Sequence, residues 1–251
     1  MIGDANLDAS SPVLMRLGPS VAVITLQRPD LANALQPEDV IRILDHLDTL
    51  ESDPVMRCLI LTGSGTVFSA GFDLRSLAEV AGKGGAEFAR MVVRVEGSRL
   101  FTLAALNGPA IGGAADLALA CDMRLGVPDL HIHVPAARIG LPLYGGALRR
   151  FVARLGLSHA TSILLGCQKL PTQALLNVGY LQRVVRHEDL LEVTSSLAFD
   201  MASFPSAPLE AMKQALLSLG NTLTQVQHAK LANAIDPQEI GARIRALKRE
   251  R

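Results

Sequence analysis

The stretch from Thr102 to Ala120 constrains the fold of this 251-residue chain more than any other. A largely apolar run, Thr102 to Leu106, passes through Asn107-Gly108-Pro109-Ala110-Ile111-Gly112-Gly113 into the helix-like run Ala114 to Ala120. This reads as a strand-to-helix turn, where glycine and small residues let the backbone approach a ligand closely. Free N–H groups at such a turn can point at a developing negative charge. A second segment, Val67-Phe68-Ser69-Ala70-Gly71-Phe72-Asp73-Leu74, has the same character, and the two look like halves of one oxyanion hole.

The rest of the first two thirds repeats strand, turn and helix. Val21 to Leu26 is a short β-branched run closed by Arg28-Pro29, and Pro37 to Leu50 carries Val40, Leu44, Leu47 and Leu50 at helical spacing behind a first-turn proline. Cys58 to Thr62 reads as a buried strand before the Gly63-Ser64-Gly65 turn. Gly82-Lys83-Gly84-Gly85 is expected to be a mobile loop. Phe88, Met91, Val92, Val95 and Arg99 then trace one helical face, Met123 to Leu125 is strand material and Gly145 to Leu155 a helix. Strands recurring with helical crossovers argue for an α/β core.

After about Glu188 the pattern becomes wholly helical, over Asp189 to Ser203, Ala207 to Leu219, Thr222 to Ala234 and Pro237 to Lys248. Asp236 suits an N-cap and Pro237 the first helical position. We therefore expect a core of residues 1–188 and a helical region of residues 189–251. That region could serve as an oligomerisation or lid element, or simply pack on its own core.

With 49% hydrophobic residues the chain can bury a sizeable core. Lys+Arg and Asp+Glu are each 24, so bulk charge gives no reason to expect a nucleic-acid or membrane partner. Cys58, Cys121 and Cys167 are far apart, lack metal-ligand spacing and have largely apolar neighbours. They read as buried reduced thiols of a cytoplasmic protein, and no bound metal is expected. Residues 1–11 lack a basic and apolar leader pattern and read as a short flexible lead; no run approaches a membrane span in length.

In this order the motifs resemble the crotonase superfamily, also called the enoyl-CoA hydratase/isomerase family. The resemblance rests on Arg28-Pro29…Asn33-Ala34-Leu35, on Phe68 to Leu74, on Asn107 to Asp116, on Cys121-Asp122-Met123-Arg124, and on the later helices around Pro171 to Gly179 and Ala207 to Gln214. It implies a spiral of ββα repeats with two roughly perpendicular sheets and a C-terminal helical trimerisation region, hence a homotrimer or a hexamer made of two trimers. It further implies a coenzyme A thioester as substrate, with no permanently bound cofactor. The N–H groups of Phe72 and Gly113 would hold the thioester oxygen and stabilise an enolate. Arg28, Ala34, Ala70, Phe72, Asp73, Leu74, Arg75 and Lys213 would contact the coenzyme A. Arg28, Arg75 and Lys213 would meet its phosphates, unless they are solvated surface charges.

Hydratases of that family use two glutamates. The first aligns with Asp116, three residues after Gly113 on the expected helix, from where its side chain can lean back toward the amide. The second aligns with Ala136, so the two-glutamate addition of water lacks one of its groups. Asp116 is then either the remaining acid–base group or a helix-start aspartate without chemistry. Tyr144 could supply a hydrogen bond or a proton, or line the pocket wall. His131 and His133 share one face of a strand, and His133 could act as a base, or both could be edge-strand histidines. The sequence therefore predicts an acyl-CoA enzyme of lyase or isomerase type with an altered acid–base set, suited to decarboxylation or to atypical hydration or isomerisation. The alternative is a non-catalytic acyl-CoA-binding or regulatory protein.

Overall fold

The computed structural model describes residues 11–73 and 83–219, together with residues 238, 241, 242 and 245. Among the described residues, six strands form the main sheet: β1 (Val13–Arg16), β2 (Val21–Leu26), β3 (Cys58–Gly63), β4 (Phe101–Leu106), β6 (Met123–Gly126) and β9 (Arg183–Val184), adjacent in that order. The β1–β2 pair is antiparallel and every other pair in this sheet is parallel. A second sheet has the order β5 (Ala110–Ile111), β7 (His131–His133), β8 (Leu170–Pro171).

Parallel neighbours need crossover connections. These include helices α1 (Pro37–Ser52), α2 (Lys83–Gly97) and α3 (Gly113–Ala120), which lead into β3, β4 and β6. Helices α4 (Gly145–Leu155), α5 (Leu157–Leu164) and α6 (Thr172–Asn177) follow, and α7 (Leu190–Ala202) and α8 (Ser206–Leu219) come after β9. Strands covered on both faces read as continuous apolar runs, and β3 is buried from Cys58 to Thr62. Helix α3 is buried along its whole length after Gly113, because it sits between the sheet and helices α2 and α4.

The elements read from sequence are present with small differences. Gly84 and Gly85 are not a loop: α2 starts at Lys83, since the apolar stripe beginning at Phe88 packs on α1 and α3 and outweighs the cost of glycine in a first turn. That helix ends at Gly97, so Arg99 lies beyond it, where its guanidinium bonds the carbonyls of Leu50, Glu51, Asp53 and Met56 around the end of α1. His131 and His133 are in the central strand of the three-stranded sheet rather than at an edge. Strands β1, β5, β8 and β9 carried no periodic signal, since three are two residues long and β1 is mostly exposed. In the helical tail, α7 packs across β2, β3, β4 and β6 of the chain's own sheet. The expected helix over Thr222 to Ala234 and most of the one over Pro237 to Lys248 lie outside the described residues. No helix among the described residues is long and apolar enough to cross a membrane.

All three cysteines are free and buried, and burial pushes the thiols of Cys58 and Cys121 up to about 12.

Candidate active site

The two small-residue segments meet. Segment 28–35 lies against segment 69–73 through Ala70 N–H to Ala32 O, Leu35 N–H to Gly71 O and Asp73 N–H to Leu35 O, each 2.8 Å. Segment 69–73 in turn lies against 109–111 through Ile111 N–H to Ser69 O at 2.9 Å and Phe68 N–H to Pro109 O at 3.1 Å. Two asparagines pin these layers: Asn33 Nδ2 and Asn107 Nδ2 both donate to Val67 O, at 2.8 and 3.3 Å. Asn33 is buried with a φ of 51°, a left-handed conformation that asparagine tolerates better than most residues.

In the parallel bridge between Leu35 and Phe72 the bonds run through Gly71 O and Asp73 N, so the Phe72 amide points to the other side. There the Gly113 amide stands at the start of α3, where a helix has no internal acceptor for it. Gly71, with φ of 84°, joins them: a β-carbon on it would lie 2.7 Å from Ile111 O and 2.8 Å from Gly113 N. Gly112 takes φ 57° and ψ −126°, a region open essentially to glycine, and donates its N–H to His133 O at 2.8 Å. The ring of Phe88 from α2 covers Gly113 and lies 5.9 Å from the ring of Phe72.

Asp116, one turn along α3, is 3% exposed. Its Oδ2 accepts a hydrogen bond from the Tyr144 hydroxyl, and its Oδ1 accepts one from Arg150 Nη1 at 2.5 Å. The Arg150 side chain has no exposed surface; its Nε and Nη2 also reach Oε1 and Oε2 of Glu96 on α2, at 3.0 and 2.9 Å. Arg149 bonds the same Glu96 from the more exposed side. Burial opposes the charge of Arg150, but Asp116 and Glu96 outweigh it and hold the guanidinium above its ordinary pKa. Burial likewise opposes ionisation of Glu96, and Arg150 and Arg149 reverse this to hold it below the carboxylate range. Burial first, and then the Asp116 charge, push the Tyr144 phenol well above 10.

The opposite end of α3 is held by two more arginines: Arg124 Nη1 and Arg154 Nη1 donate to Cys121 O at 2.6 and 2.5 Å. Cations at a helix C-terminus offset its partial negative charge. Tyr180 donates to Ala115 O at 2.8 Å in the first turn. Helix α3, and with it the Gly113 amide, is thus fixed at both ends.

The other expected site residues are placed as follows. Ala34 and Ala70 lie in the layered segments, and the Ala34 carbonyl accepts from Arg28 Nη1 at 3.2 Å. Arg28 also pairs with the buried Asp39 of α1. The Lys213 ammonium is buried on Asp122 Oδ2 at 2.7 Å and Leu100 O at 2.8 Å, so it ties α8 to the sheet. Leu74 and Arg75 lie outside the described residues. His133 contributes its carbonyl to the Gly112 turn, while its ring neighbours Arg138, Lys169 and the Cys167 backbone; burial, then Arg138 and Lys169, lower its pKa. Burial, then Lys169 and His133, lower that of His131. Among the described residues no hydrogen bond or ion pair joins either histidine to Asp116 or Tyr144. Ala136 is buried at the start of a short 3-10 helix, residues 136–139.

Phe88 was legible in the sequence only as part of a helical face, and Glu96 and Arg150 were not singled out. A signal for the charged pair existed: Glu96 falls four residues after Val92 on the apolar stripe of α2, and Arg150 three after Ala147 on that of α4. Charges at core positions of two helices imply that they meet each other or a third buried charge.

The family model for enoyl-CoA hydratase/isomerase matches residues 16–239. The chain belongs to the enoyl-CoA hydratase/isomerase family. Within this family of acyl-CoA enzymes, it is 34% identical over 215 residues to a Thermus thermophilus protein provisionally named an enoyl-CoA hydratase, covering 79% of this chain and 81% of that one. It is 27% identical over 216 residues to the short-chain-enoyl-CoA hydratase of Clostridium acetobutylicum, covering 84% and 82%. Among solved structures, it superimposes on an enoyl-CoA hydratase/isomerase from Xanthobacter autotrophicus with a TM-score of 0.80 at 28% identity, covering 93% and 88% of the two chains. It also superimposes on a monofunctional enoyl-CoA isomerase from Mycobacterium smegmatis, with a TM-score of 0.73 at 27% identity, covering 88% and 98%. The fold is that of the crotonase superfamily.

Proposed function

We propose that the protein binds a coenzyme A thioester with its carbonyl oxygen between the amides of Phe72 and Gly113, and that it works through the thioester enolate. Two preorganised donors stabilise such an intermediate most when charge accumulates on that oxygen, and one such donor is commonly worth about 3–4 kcal/mol. The observation that carries the choice of reaction is the state of Asp116. Both its oxygens are engaged, by Arg150 and Tyr144, and Ala136 stands where the resemblance calls for a second carboxylate.

Adding water across a double bond needs one group to take a proton and another to give one. With Ala136 at the second position, Asp116 would have to take the proton and give it back alone, and a phenol with a raised pKa is a hydrogen-bond donor rather than an acid at neutral pH. Decarboxylation makes a smaller demand. The bond from the thioester α-carbon to a substrate carboxylate breaks, its electron pair enters the enolate, CO2 leaves, and the α-carbon takes a proton from solvent. The oxyanion hole serves the cleavage, and the Tyr144 hydroxyl, held by Asp116, orients the water that protonates the α-carbon.

The test is to offer the purified protein malonyl-CoA, methylmalonyl-CoA, crotonyl-CoA and a 3-enoyl-CoA. Loss of CO2 from the first two is expected, and hydration of crotonyl-CoA at ordinary hydratase rates would overturn the reading. Tight binding of all four with turnover of none would make the protein an acyl-CoA-binding one. Met212, Leu216 and Leu219 of α8, between 58 and 79% exposed, support the expectation that this end of the chain meets other copies in a trimer or hexamer, which sedimentation would reveal.

A further inference from the structure

Arg150 is the most completely buried charge next to the site, and a single guanidinium serves two carboxylates on two helices. It is anchored by a fork of two bonds from Nε and Nη2 to Glu96 on α2, and it meets Asp116 on α3 through Nη1. A planar guanidinium fixed along one edge has no freedom to follow Asp116 if that side chain turns. The carboxylate must therefore adopt the rotation that gives Oδ1 to Arg150, and in this rotation Oδ2 faces the Tyr144 hydroxyl. Gly146 makes room for the tyrosine, since a β-carbon there would lie 3.0 Å from the ring.

We propose that Arg150, held by Glu96, is the positioning residue of this site: it sets the orientation of Asp116 and thereby directs the Tyr144 hydroxyl. Arg150 touches no substrate in this scheme and acts only through Asp116. The inference deepens the enolate reading above, but its main test needs no turnover.

The chain has two tyrosines and no tryptophan, so incorporating tyrosine carbon-13-labelled at Cζ gives two NMR resonances from the full protein. Each reports one hydrogen bond in the first turn of α3: Tyr144 to the Asp116 side chain, and Tyr180 to the Ala115 carbonyl. Tyr144→Phe assigns the pair. In Arg150→Met the Tyr144 resonance should shift while that of Tyr180 stays, whereas Glu96→Asp, which shortens the anchor but keeps its charge, should move Tyr144 less. Arg150→Lys covers the case where the methionine variant does not fold: one ammonium cannot reproduce the fork, so the Tyr144 resonance should again move. An unchanged Tyr144 resonance in folded Arg150→Met, or in folded Arg150→Lys, would show that Arg150 is only a brace between helices.

With an active thioester, the Arg150→Lys enzyme should lose kcat by about 100-fold, with KM within about twofold. A wild-type protein that turns over none of the four thioesters would end the enolate reading and leave the NMR result standing.

Discussion

The Tyr144 hydroxyl is hydrogen-bonded to the Asp116 carboxylate rather than directed at open space. Two side chains from separate parts of the sequence, one on α3 and one just before α4, are thus a single unit, and neither can be altered without changing the other. Tyr144→Phe should remove a hydrogen bond to a charged group and lower stability by about 1.5–3 kcal/mol. Urea unfolding of the two proteins measures this, and equal midpoints would contradict the bond.

Removing the charge of Arg150 should cost more. Arg150→Met leaves Asp116 and Glu96 buried without their shared partner, and breaking a buried pair in this way typically destabilises by about 3–5 kcal/mol. A clear drop in the thermal midpoint is expected. It should be partly recovered in the double variant Asp116→Asn, Arg150→Met, where Glu96 keeps Arg149 and no carboxylate of the cluster is left unpaired.

Lys213 distinguishes a phosphate ligand from a brace. Its ammonium is already committed to Asp122 and Leu100. Lys213→Met should therefore lower the melting temperature but change the affinity for coenzyme A esters by no more than about twofold, readable by isothermal titration. A tenfold loss of affinity without a stability change would restore the phosphate role.

Acid should destabilise the protein in two stages. Burial lowers the pKa of His46, His131 and His133 from 6.5, so below that value the unfolded chain binds protons that the folded chain refuses. Stability is full above about pH 6.5 and falls as the pH drops toward the lowered values. Glu96, also held below its ordinary 4.5, adds a second loss as the pH falls below that figure. Thermal midpoints at pH 8, 6, 5 and 4 should decline in that order. A midpoint that rises between pH 6.5 and 5 would contradict the histidine assignment.

Gly71→Ala should disturb the site itself. A side chain there must adopt a φ of 84° and would meet Ile111 O and Gly113 N at under 3 Å. The left-handed conformation alone costs about 1–2 kcal/mol, and the collision pushes the two amide-bearing segments apart. Weaker binding of an acyl-CoA, together with a lower melting temperature, is the expected result.

The sequence already specifies the family, the strand-to-helix turn at Gly113 and most of the regular elements. These follow from local chemistry: apolar periodicity, the proline at Pro37, and glycines where the backbone must turn or make close contact. It also determined that Ala136 brings no carboxylate. The partners of Asp116 come from the packing of α2 and α4 against α3. The strong apolar stripes of α2 and α4 marked helices without saying which faces would meet, so Glu96 and Arg150 were legible as misplaced charges but not as partners. His133 shows the converse. Its position in sequence suggested a base beside the missing glutamate, yet its strand turns the ring toward Lys169 and Arg138 and gives the site only its carbonyl. A side chain's residue type is local information, whereas its hydrogen-bond partners depend on how distant segments pack, and in this site the partners decide the chemistry.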